Sequence, residues 1–273
     1  MKKNNLILLL LFLSISLFSQ TNQQLSLEQE IDKLELDFYK EGVENLKNLD
    51  KRSLSLYEQS KKENYKRGMI ISSKIYTVIM FNSGNLEEAS KFITEGIELA
   101  IKENDYKSQV SFLSTKAKIY QNSGIVDKTK SAVYKGLKIA DKIEDKDDRH
   151  ISKAYLYVVF LSYGIAESFP KDSLFYFREQ MLKEAKQISK KSLSRNSTLA
   201  YAEIIFAQEY LYGLNENHQV AITHLKYAEE LALKTKKQHT LKPFILNTHY
   251  KQILADTITP VSIYFKIRDK FPN

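Results

Sequence analysis

The sequence predicts an all-α chain: an α-solenoid of stacked antiparallel helix pairs, about five pairs plus a C-terminal cap. Three observations predict it. The chain has 273 residues but only 8 Gly and 4 Pro, too few turn formers for a β-sandwich or barrel. Its 43% hydrophobic and 27% charged residues are the proportions of a folded globular chain rather than a disordered one. Finally, two stretches return without a gap forty residues on. Asn82-Ser83-Gly84 recurs as Asn122-Ser123-Gly124, and Gly96-Ile97-Glu98-Leu99-Ala100 recurs as Gly136-Leu137-Lys138-Ile139-Ala140. A helix–turn–helix unit cannot bury its apolar face alone, so repeated units stack.

The elements follow in order. Lys2 and Lys3 precede an apolar run from Leu6 to Phe18, broken only by Ser14 and Ser16, and Ser19 supplies a small residue for cleavage. This layout predicts a signal peptide over 1–19, cut near 19/20, and an exported chain, periplasmic or secreted. An uncleaved N-terminal anchor is the alternative, although the run is short for a bilayer span. Loss of Lys2 and Lys3 lowers the formal net charge from +8 to +6, leaving 39 basic against 33 acidic side chains. No later segment approaches eighteen apolar residues, so no transmembrane helix is expected in the mature chain. Residues 24–273 read as one domain. With no Cys in the sequence, there is no disulfide framework and no thiolate metal site; stacked packing must supply the stability.

Ser26–Asn48 and Lys51–Asn64 read as the first helix pair. Gly68–Phe81 and Leu86–Lys102 form the second, joined at Gly84, where a left-handed backbone ends the helix. Tyr106–Gln121 and Val126–Ile143 form the third, joined at Gly124. Asp147–Ile165 and Asp172–Lys190 form the fourth, with Pro170 just ahead of the second helix, where proline is tolerated. Ser197–Leu214 and Gln219–Lys236 form the fifth. Leu241–Ala255 and Val261–Lys270, separated by Pro260, read as the cap. In the fifth pair Ala221, Leu225, Ala228 and Ala232 fall on one helix face, matching Ala89, Ile93, Gly96 and Ala100 position for position. Gly96 and Gly136 fall where neighbouring helices should approach closely.

These units resemble tetratricopeptide repeats. Ala117 with Tyr120, and Ala207 with Tyr210, match the family's small residue and tyrosine on the first helix; Ala89 with Gly96, and Ala221 with Ala228, match its small residues seven apart on the second. The chain departs from the family in having no Trp, no closing proline in these units, Thr129 in place of a small residue, and a forty-residue offset. The resemblance implies a TPR-like superhelix whose first helices line a concave face. It places inward positions three, six and ten residues before the turn glycine: Phe81, Val78 and Lys74, then Gln121, Lys118 and Ser114. Tyr157 is the equivalent in the fourth unit. Such a face would take a protein or peptide partner carrying carboxylates and apolar side chains. The whole layout, signal peptide and then Lys-, Asn- and Tyr-rich helical repeats, also resembles the periplasmic sensor half of membrane-anchored AraC-type regulators of Bacteroidetes.

No phosphate-cradling loop, nucleophile elbow or H-E-x-x-H zinc motif is present, so neither catalysis nor a cofactor is expected. His218 and His224 lie six apart, near-opposite on a helix, and read as solvated imidazoles. Asp141–Asp148 holds five carboxylates in eight residues but no Gly, which argues against a calcium loop; Asp147 or Asp148 should cap the next helix. The basic clusters at Lys186, Lys190, Lys191 and Arg195, and at Lys234, Lys236 and Lys237, read as helix C-terminal charges, and no specific nucleic-acid binding is expected. Tyr155, Tyr157, Phe160 and Tyr163 read as core. Of the consecutive Phe175, Tyr176 and Phe177, at least one should be exposed. A non-catalytic binding module is therefore the leading expectation; a helical cell-envelope enzyme acting on peptidoglycan is the alternative.

Overall fold

The computed structural model describes residues 25–38, 47–166, 169–192, 194–212 and 217–238. The expected signal peptide, the expected cap (241–270) and the clusters at Lys236 and Lys237 lie outside the described residues or their described side chains. The described residues form helices and no strand. In chain order these are α1 (25–38), α2 (Lys47–Lys62), α3 (Lys66–Asn82), α4 (Leu86–Lys102), α5 (Tyr106–Asn122), α6 (Val126–Ala140), α7 (Lys146–Ala166), α8 (Lys171–Gln187), α9 (Ser194–Tyr212) and α10 (His218–Gln238). Neighbours pack pairwise in a consecutive array, so the chain is an α-solenoid. The second helix starts at Lys47 rather than Lys51 because Leu49 is wanted in the core: Leu49, Ser53, Leu56 and Ser60 form one buried stripe at spacings of three and four.

A finer period lies inside the forty-residue repeat. Backbone φ is positive at Asn64 (55°), Gly84 (80°), Asn104 (55°) and Gly124 (68°), one residue every twenty. At each turn the next amide reaches back to close the helix: Tyr65 N to Ser60 O (2.7 Å), Asn85 N to Met80 O (2.9 Å), Asp105 N to Ala100 O (2.9 Å) and Ile125 N to Tyr120 O (2.9 Å). This is the six-to-one bond of a Schellman cap, which occupies a carbonyl the helix end would otherwise leave open. The residue making it also starts the following helix. Asn85 Oδ1 accepts from Glu88 N (3.3 Å) and Asp105 Oδ1 from Ser108 N (2.9 Å), the N-cap bonds those residue types supply. Helices of 17 residues with three-residue links thus set the twenty-residue rhythm.

The rhythm breaks after Ala140. The cap of α7 is Asp145, whose Oδ1 accepts from Asp148 N at 2.8 Å, not Asp147 or Asp148 as expected. Those two are used elsewhere: Asp147 Oδ1 accepts from Ser189 N (2.7 Å), and Asp148 takes Lys107 Nζ (2.8 Å). The first turn of α7 thus ties its own unit to the end of α8 and back to the preceding unit at α5. At the end of α8, Arg195 donates to the carbonyls of Lys186 (2.8 Å) and Ile188, as a helix C-terminus favours.

Two layers result. The first helices of successive units (α3, α5, α7, α9) also touch one another, whereas the second helices (α4, α6, α8, α10) stand further apart. A close-packed layer backed by a spread one curves towards the close-packed side, which makes the first-helix layer the inner face. The asymmetry shows in burial. Nine of the 17 residues of α3 and nine of α5 are buried, against five in α4 and five in α6. The second helices bury small residues where the next unit arrives. A Cβ on Gly96 would lie 2.6 Å from a Phe112 ring carbon, and one on Gly136 would lie 3.0 Å from the Leu156 methyls. Ala221, Leu225, Ala228 and Ala232 are all buried, as the register match requires.

Candidate partner-binding face

The inner face is a row of side chains reaching from one first helix to the next. Arg67 meets Asp32 of α1 (2.7 Å) and Lys74 meets Glu35 of α1 (3.4 Å). Lys107 of α5 meets Asp148 of α7 (2.8 Å), and further along the same helices Lys118 donates to the Tyr155 hydroxyl (2.6 Å). Tyr155 stacks loosely on Tyr201 of α9, with centroids 6.4 Å apart and planes at 23°. Exposed pairs of this kind contribute about 0–1 kcal/mol each, so the row stabilises little and leaves polar and aromatic groups at the surface.

Five of the seven residues expected on this face, Lys74, Val78, Phe81, Lys118 and Gln121, are half-buried on α3 and α5. Phe81 leans on the α3–α4–α5 core. Ser114 is a correction: it is buried, and its hydroxyl donates to Val110 O at 2.9 Å. A first helix is flanked on several sides, so its solvent strip is narrow and Ser114 falls outside it. Tyr157 is a second correction. It packs on Phe177 of α8 (6.2 Å), on the side of α7 away from the inner row. Burial, then the nearby Glu184 carboxylate, push its phenol up to about 12, so it stays neutral. Tyr155, two residues earlier, takes the inner place. No turn residue with positive φ precedes α7 to fix its register, so the shift has no signal in the residue pattern beyond the acidic run that pairs with Lys107.

His224 is likewise no solvated imidazole. Its Nδ1 lies 2.7 Å from Glu203 Oε2 and its ring stacks on Tyr210 at 5.6 Å. His150 Nδ1 lies 2.6 Å from Glu184 Oε2. Each pair joins the two helices of one unit and places a buried carboxylate against a hydrogen-bonding partner, which burial requires. His218, at the start of α10, is exposed. Phe177 is buried while Phe175 and Tyr176 are exposed. Phe175 carries the Arg178 guanidinium 4.7 Å above its ring. Among the described residues no group of three or more His, Asp or Glu is placed to hold a metal ion, and no helix is long and apolar enough to cross a membrane.

No protein-family model, curated protein or solved structure matches this chain.

Proposed function

We propose that the chain is an exported, non-catalytic helical-repeat protein of tetratricopeptide type, which binds a protein or peptide along its inner face as the sensory module of a signalling regulator. The observation that carries the reading is the row Lys118–Tyr155–Tyr201. It sets a cation and two half-buried rings on consecutive first helices, where an extended partner could touch all three. Solenoids present long inner surfaces of this kind, and contacts spread over several units give specificity without a deep pocket.

The test is affinity capture from periplasmic extract with the full chain as bait. A partner recovered by the wild type should be lost from the double variant Lys118→Glu/Tyr155→Ala. Recovery of the same proteins by both baits, or of none above a control bait, would overturn the inner-face assignment. Hydrolysis of purified peptidoglycan by repurified protein would overturn the non-catalytic reading.

A further inference from the structure

Because the second helices stand apart, each gap between two of them is a groove on the outer face, floored by the first helix behind it. The gap between α2 and α4 is closed by rings. Tyr57 and Tyr76 meet Phe92 edge to face at 5.1 and 4.6 Å, and all three are buried. The gap between α6 and α8 holds more rings, and two of them stay exposed. On its floor Phe160 packs against Phe177 (4.2 Å), Phe169 (5.7 Å) and Tyr134 (6.1 Å). Tyr157 and Tyr176 lie 6.2 and 5.3 Å from Phe177. On opposite walls Tyr134 remains 47% exposed and Tyr176 56%.

The α6 wall is basic. Lys130, one turn before Tyr134, holds its ammonium 4.9 Å from the Phe169 ring centroid; Lys138, one turn after, is exposed. Neither has a carboxylate partner among the described residues. On the α8 wall Glu179 is engaged by Arg178 (3.7 Å), and Asp172 sits at the first turn. The free charge beside the rings is therefore positive on the α6 side.

We propose that the groove between α6 and α8 is a second docking site, for an extended protein segment that carries proline rings and carboxylates. A segment in the polyproline II form leaves its backbone carbonyls unpaired and presents a ring face every third residue. An aromatic-lined groove with hydroxyls at its mouth receives both features. Lys130 and Lys138 beside Tyr134, which have no carboxylate partner among the described residues, select acidic flanks. This site is independent of the inner face, since Tyr134 and Tyr176 are on second helices.

The probe is a fluorescein-labelled synthetic proline-rich peptide flanked by glutamates, titrated into the full chain and followed by anisotropy, beside the same peptide flanked by lysines. The glutamate-flanked peptide should bind at least about tenfold tighter. Tyr134→Ala/Tyr176→Ala should weaken it by a similar factor. Lys130→Glu/Lys138→Glu, which leaves the rings in place, should reverse the preference between the two peptides. Lys118→Glu should change nothing, which separates this site from the inner face. No saturable binding below about 1 mM, equal affinity for both peptides, or binding unaffected by the tyrosine and lysine variants would each overturn the proposal. Self-association that the tyrosine variant abolishes would overturn it too, in favour of a contact between copies.

Discussion

Gly96 and Gly136 occupy the same place in successive units, and replacing each by alanine separates backbone preference from helix contact. Alanine in place of a mid-helix glycine gains about 0.5–1 kcal/mol at both positions. The neighbours differ. At Gly96 the new methyl would lie 2.6 and 2.8 Å from two Phe112 ring carbons and closer still to Cζ, about 1 Å inside the normal 3.5–4.0 Å carbon contact. Phe112 is only 1% exposed and cannot swing into solvent, so ring or helix must move, at about 1–3 kcal/mol for overpacking. At Gly136 the nearest atoms are Leu156 methyls at 3.0 Å, which a small side-chain shift relieves. An overlap this deep puts the cost in the upper part of that range, about 2–3 kcal/mol, so Gly96→Ala should destabilise by about 1–2.5 kcal/mol net of the helical gain, while Gly136→Ala stays within about 1 kcal/mol of wild type. The assay is urea unfolding followed by far-ultraviolet circular dichroism, with the slope compared between variants to confirm that the same surface is exposed. A midpoint for Gly96→Ala equal to or above the wild type would refute the reasoning. It would mean that Phe112 does not hold α4 and α5 at that separation.

Three further outcomes follow from the turns and the buried phenols. Gly84→Ala should lose about 1–2 kcal/mol from its left-handed backbone alone, since no atom lies within 4 Å of the added Cβ. Gly84→Asn should lose less, because asparagine holds the same conformation at positions 64 and 104; equal losses would show that the cap tolerates no side chain. Asp145→Ala should cost about 1 kcal/mol as a lost helix cap, read as a lower unfolding midpoint, and a midpoint unchanged from wild type would deny Asp145 that role. Burial, together with the Glu95 carboxylate that accepts the Tyr57 hydroxyl at 2.9 Å, pushes Tyr57 up to about 12, as burial does Tyr157. Above pH about 10 the unfolded chain has released these protons and the folded chain has not, so stability falls as pH rises from 10 towards 12. In an absorbance titration of the 17 tyrosines, a last step should appear only above the main one or together with unfolding. A single step centred near 10 with the helices intact would contradict the burial of these two rings.

The turn code was only half visible in the sequence. Gly84 and Gly124 stand out because glycine is rare in this chain. The equivalent Asn64 and Asn104 do not, although Lys62-Glu63-Asn64 and Lys102-Glu103-Asn104 repeat at the same forty-residue offset. Asparagine at a turn is too common in a helical, Asn-rich chain to mark a left-handed cap. The acidic run entering α7 is ambiguous for a related reason: any of its aspartates could cap by type, and only backbone geometry selects Asp145. His224 differs from a solvated imidazole because a position on the polar side of one helix can still face the neighbouring helix, as it does towards Glu203.

The features legible in the residues alone are local: helical spacing, the forty-residue repeat, and the small residues at 96, 136, 221 and 228 where helices meet. Each is set by the 3.6-residue period, which is the same in any surroundings. Direction, by contrast, comes from how the helices are assembled. The first helices are packed on several sides, burying nine of 17 residues in α3 and in α5, so their apolar pattern no longer points one way. Tyr155 and Tyr157 are two residues apart, about 200° around the helix. The placement of α5, α8 and α9 around α7, not the pattern within α7, puts one on the inner face and the other in the outer groove.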